Sequence, residues 1–136
     1  MADVNTGKPS EDLFLRWADN QKGFVHRFTD LYDAKKKGKA ANEQPSDFLL
    51  TLPGFMCYAE VKSTTKPSFS FAQIQPKQWK TALKQTKAGG HYLFFVHFLT
   101  ENRWFRIPAR VILDSERKSL NIKTLSQFEF DIQAKL

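Results

Sequence analysis

The sequence holds one cysteine, Cys57, so no disulfide can form within the chain, which fits a reducing compartment. Its three histidines and single thiol show no ligand spacing for structural zinc. The longest apolar run, Tyr92 to Phe98, is far too short to cross a bilayer and contains His97. The amino-terminal stretch MADVNTGKPSEDL lacks the cationic-then-apolar order of a secretory signal. Repeats and low-complexity tracts are missing as well. These absences lead us to expect a soluble cytoplasmic protein with no membrane partner. Acid is the scarcer charge: 14 Asp and Glu stand against 21 Lys and Arg, a net charge of +7. That excess favours a polyanionic partner, nucleic acid before an acidic membrane surface, although a solubility role would also account for it.

What the chain has in quantity is aromatic bulk. Thirteen Phe and three Trp in 136 residues supply a core for one domain spanning 1–136 and exclude global disorder. Residues 1–8 read as a flexible tail. Ser10 is placed to cap a helix whose first turn carries Glu11 and Asp12, and Leu13, Phe14, Trp17 and Ala18 give that helix an apolar face ending near Gly23. FVHRFTD alternates as a strand. Residues 34–45 form a basic, turn-rich loop, read as mobile, in which Lys35, Lys36, Lys37 and Lys39 are either a solvated surface or an arm for a phosphate backbone.

DFLLTL, Pro53-Gly54 and FMCYAEVK read as a hairpin. Pro-Gly suits a primed two-residue turn poorly, so a four-residue loop from Leu52 to Phe55 is expected. Paired positions then sum to 107, which sets Asp47 opposite Glu60. One face carries Phe48, Leu50, Leu52, Phe55, Cys57, Ala59 and Val61 and is assigned to the core. The other carries Asp47, Glu60 and Lys62 at one end. Like charges directly opposed destabilise a sheet, and a divalent cation reverses that penalty. An ordinary edge ladder balanced by Glu60 and Lys62 fits the hairpin equally well.

Beyond it, a helix is expected from Pro76 to Gly89-Gly90, with Trp79, Ala82, Leu83 and Thr86 facing the core. Lys77, Lys80, Lys84 and Lys87 form a basic stripe along it, which is either a solvated face or a DNA-backbone contact. HYLFFVHFL reads as a strand covered on both faces, and ENR turns it into WFRI. His26, His91 and His97 are scattered and read as structural or surface residues. Arg103 and Arg106 flank Trp104 on what reads as a solvated hairpin. The residues from Ala109 onward show no clear pattern.

Pro45-Ser46-Asp47 followed by Glu60-Val61-Lys62 resembles the PD-(D/E)xK nuclease motif. YAEVKSTTKPSFSFAQIQPKQW resembles the segment around that motif in bacterial Holliday junction resolvases, with Gln78 matching a Gln at the start of a helix. Lys77 stands where that pattern often has His, and the short hairpin turn leaves no room for the long stalk insertion some bacterial resolvases carry. The likeness spans roughly residues 10–108.

The resemblance implies an α/β fold of restriction-endonuclease type, a mixed central β-sheet flanked by helices. It implies a metal-dependent endonuclease acting on DNA, above all on four-way junctions, as a homodimer in a bacterial or phage-infected cell. Asp47, Glu60 and the Val61 carbonyl would bind Mg²⁺, with Mn²⁺ able to substitute, and Glu11 would face a second ion. Lys62 and Gln78 would complete the catalytic set. Lys66, the stripe on the later helix and the lysines of the basic loop would contact DNA. Read without the resemblance, Glu11 is an ordinary helix-start acid and Gln78 a surface amide. A nuclease acting on duplex, nicked or foreign DNA is the alternative, and a non-catalytic nucleic-acid-binding module or a protein adaptor the more distant ones.

Overall fold

The computed structural model describes residues 7–28 and 44–135. In chain order these form α1 (Gly7–Asn20), β1 (Phe24–Arg27), β2 (Phe48–Leu52), β3 (Phe55–Thr64), β4 (Ser68–Ser70), α2 (Pro76–Lys87), β5 (Tyr92–Phe98), β6 (Arg103–Pro108), α3 (Ala109–Leu113), β7 (Ser119–Asn121) and β8 (Glu129–Phe130). Six strands make a mixed sheet in the order β1-β2-β3-β5-β6-β8, and β4 and β7 make a second, two-stranded one. Among the described residues only β3 and β5 pair in parallel, with α2 in the crossover between them. This is the α/β architecture, a mixed sheet with flanking helices, that the resemblance implies.

Two apolar clusters lie on opposite faces of the large sheet. Phe14, Trp17 and Ala18 of α1 bury against Phe48, Leu50, Cys57, Ala59 and Phe95 on one side. Helices α2 and α3 and the small sheet cover Phe94, Val96, Phe98, Phe105 and Ile107 on the other. All seven residues of β5 are therefore buried, as a strand enclosed on both faces requires.

The hairpin pairs Leu49 with Tyr58 and Thr51 with Met56, so the sum of 107 holds. The loop is tighter than the expected four residues: Leu52 pairs with Phe55, and Gly54, at φ 77°, supplies the left-handed residue that a Pro-Gly turn needs. The face carrying Glu60 is not the open side of the sheet. Residues that α2 and α3 cover share it, and Glu60 is buried.

The first helix starts at Gly7, so Gly7 and Lys8 belong to it, not to a tail. Ser10 is not its cap. It lies inside the helix, buried, with its Oγ 2.8 Å from His97 Nδ1. A tertiary partner has overridden the local capping preference. The helix ends at Asn20, and Gly23 is required by close approach, because a Cβ there would sit 2.9 Å from both the Thr51 carbonyl and Leu52. Along α2, Ala82 is buried and Trp79 half-buried, whereas Leu83 is exposed, since the helix turns only a narrow face to the sheet. The lysines at 35, 36, 37 and 39 fall outside the described residues.

Candidate active site

The hairpin register carries one step past β2. Phe28 donates its N–H to the Asp47 carbonyl (3.0 Å), and Asp47 donates its own N–H to Glu60 Oε1 (3.0 Å). A side-chain carboxylate thus takes the place of a backbone acceptor at the end of the ladder. Phe28, Asp47 and Glu60 stand abreast, the first two just beyond the ends of β1 and β2 and the third midway along β3.

Glu60 has two further partners. Gln78 Nε2 donates to Oε2 (3.0 Å). The Tyr92 hydroxyl lies 3.3 Å from Oε1 and 3.1 Å from the Pro45 carbonyl, so its one proton serves one of them at a time. The side chain is therefore held from β2, β5 and α2 at once. Burial pushes the Glu60 carboxyl up to about 8; the negative charge of Asp47 acts in the same direction, and Lys62 acts against both. Two carboxylates meet here with too little cation to balance them.

Lys62 follows on the same face of β3. Its Nζ donates to Gln78 Oε1 (3.0 Å) and to the Gln73 carbonyl (3.1 Å). Gln78 is the hub: its Oε1 also accepts from the Gln75 N–H (2.9 Å), which closes a capping box at the start of α2. One amide thus anchors the helix, grips the lysine and bonds the buried acid.

A cleft of about 300 Å³ opens over this cluster, lined by Glu11, Arg27, Ser46, Asp47, Glu60 and Gln78 among others. Glu11 reaches it from α1 but is engaged by Arg27, at 3.0 Å. Burial raises the proton affinity of Glu11, Arg27 opposes that, and Asp47 lies close enough to raise it further. Among the described residues no three His, Cys, Asp or Glu side chains gather tightly enough to cage an ion. The structure therefore groups Asp47, Glu60, Lys62 and Gln78, and sets Glu11 at the rim in an ion pair.

Lys77 lines the cleft, and Lys66, Lys80, Lys84 and Lys87 are exposed. The stripe on α2 accordingly leads away from the cleft across the surface. Arg103 is committed elsewhere, in a two-pronged pair with Glu129. Tyr92 and Arg27 had no signal in the sequence. Tyr92 reaches Glu60 only through the parallel pairing of β3 with β5, and Arg27 only through the contact of β1 with α1.

A model of the family Recombination protein U matches residues 16–136 of the chain. The fold is similar to the solved structure of Archaeoglobus fulgidus Hjc, a Holliday junction resolvase from an archaeal hyperthermophile. That match has a TM-score of 0.63, covers 93% of this chain and 96% of that one, and has 12% sequence identity, so it speaks for the fold. The curated proteins yield no match.

Proposed function

The chain belongs to the Recombination protein U family of Holliday junction resolvases, and from that premise we propose that it cuts four-way DNA junctions by metal-dependent hydrolysis at the Asp47–Glu60–Lys62 cluster. The observation that carries this reading is a buried acid beside a second carboxylate, both lining an open cleft, with one amide that also lines it bonding the acid and fixing Lys62. Buried like charges cost stability unless something else offsets them.

The donors fit Mg²⁺. They are hard oxygens, two carboxylates to which the Val61 carbonyl would add a third donor, and Mg²⁺ is commonly held by one or two carboxylates while keeping several waters. Mn²⁺ would substitute. When bound, the ion would lower the pKa of a coordinated water and offset charge building on the phosphate. Glu11 is better placed to orient Arg27 than to bind a second ion.

The rest of the chemistry belongs to the chain. Glu60 is held in one orientation by the Asp47 N–H and Gln78, so it needs little reorganisation during the reaction. Lys62 gives two of its three ammonium protons to Gln78 and Gln73. The third would be offered to a water or a phosphate oxygen, where a fixed positive charge stabilises the developing transition state. The α2 lysines and Lys66 would lie along a phosphate backbone, which positions DNA without reading its sequence. A two-fold homodimer would set one such cleft at each of the two symmetric strands of a junction.

The test is cleavage of a synthetic four-way junction against linear duplex of the same sequence, with Mg²⁺ and with EDTA. We expect metal-dependent cutting of the junction. Equal cutting of duplex would transfer the assignment to a general nuclease. Steeply salt-dependent binding without turnover would transfer it to a binding module.

A further inference from the structure

β1 places Phe24, His26 and Phe28 on one face, the face opposite α1. Phe24 is 67% exposed, unusually open for a phenylalanine on a strand. It lies in register with Thr51 and, one strand further, with Met56, which is 55% exposed. At the other end of the row Phe28 lines the cleft that holds Asp47 and Glu60. The rings are near neighbours: His26 and Phe28 are 5.2 Å apart, and Phe28 and Tyr58 6.2 Å. An aromatic surface therefore runs from open solvent to the reacting centre.

Resting on the nuclease reading, we infer that this row is a stacking ledge for an unpaired nucleobase beside the scissile phosphate. Every base has a π-face, so a ring on an exposed strand can hold one without reading its identity. A junction interrupts the continuous base stack at its branch point, and opening a pair there frees such a base. Charge agrees with this choice of occupant, because Lys77 lines the cleft together with Phe28 and the chain carries a net charge of +7. A second copy of the chain is the poorer fit: Phe24, Met56 and an imidazole fall well short of the roughly 800 Å² per partner that a stable interface buries. Four residues of strand separate Phe28 from Phe24, about 13 Å. At about 3.4 Å per stacked nucleotide, the base should lie within about four nucleotides of the cut.

The experiment uses the full chain, a synthetic four-way junction and EDTA, so that binding is read without cleavage. Single abasic residues are placed in turn at the four nucleotides either side of the cut. We expect one abasic position to weaken binding about tenfold, and Phe24→Ala to weaken binding of the intact junction about tenfold. On the junction abasic at that position, Phe24→Ala should lose nothing further. Phe24→Trp should bind as wild type, and the salt dependence should not change, since no phosphate contact is removed.

A flat abasic scan, independent losses, or Phe24→Ala binding as wild type would each overturn the ledge. So would conversion of a dimer to monomers by Phe24→Ala in sedimentation, which would make the row an interface between copies. The ledge fails alone if wild type still cuts junctions with Mg²⁺. If wild type neither binds nor cuts them, the nuclease reading fails and the ledge with it.

Discussion

Neighbouring strands of this sheet bury two ionisable groups, and they do so in opposite ways. On β5, His97 is stacked on Trp104 at 4.5 Å, with Nδ1 2.8 Å from Ser10 Oγ and Nε2 2.9 Å from Asn102 Oδ1. An amide oxygen can only accept, so Nε2 carries the proton and Nδ1 accepts from Ser10. The ring is neutral, its bonds are matched, and it does not line the cleft that Glu60 faces. On β3, Glu60 is as deeply buried, yet its partners include a second carboxylate and it faces a cleft. Burial alone does not mark a site. Unbalanced charge at an opening does.

The sharpest way to break that contrast is to take the lysine from the unbalanced site. Lys62→Ala should cut junction about a thousandfold more slowly while binding it as tightly, measured by single-turnover cleavage and by anisotropy. Gln78→Ala should have a smaller effect, of order ten- to a hundredfold, because it frees Lys62 and Glu60 without removing either. At the balanced site the loss should be one of stability. His97→Ala strands two polar partners and leaves a gap beside Trp104, costing about 2–3 kcal/mol by denaturant titration with the junction-cutting rate unchanged.

Asp47→Asn reverses the sign of the stability effect. It relieves like-charge repulsion in the metal-free protein, so the melting temperature should rise by the equivalent of about 1 kcal/mol while cleavage is lost. Mg²⁺ should raise the melting temperature of wild type but not of this variant. The smallest effect is in pH. Burial lowers the proton affinity of His97 below the ordinary histidine value, with the Asn102 bond acting the other way. The unfolded chain therefore takes up a proton at this position that the folded chain resists, and the His97 contribution to stability should be full above about pH 6.5 and fall below it. His97→Gln should flatten that slope in pH-dependent melting.

Much of the site was legible because a hairpin is local. The index sum of 107 needs only the turn, and it set Asp47 against Glu60 before any coordinates. The face opposite the assigned core is covered as well, because α2, α3 and the β4–β7 sheet reach it from distant sequence. Ser10 reads as a cap until the fold brings His97 to it, and Leu83 reads as core until the narrow contact of α2 leaves it out. Tyr92 became visible only through a parallel pairing, which no turn dictates. The segment after Ala109, with α3, β7 and β8, has strands of only two or three residues, too short for any periodicity to show.

The central claim is that Asp47, Glu60 and Lys62 act as one metal-and-phosphate site. Junction cleavage by wild type and Lys62→Ala side by side, in Mg²⁺ and in EDTA, tests it most directly. The account predicts cutting by wild type in Mg²⁺ alone, with the variant bound to the junction and silent. Cutting by Lys62→Ala at the wild-type rate would contradict it.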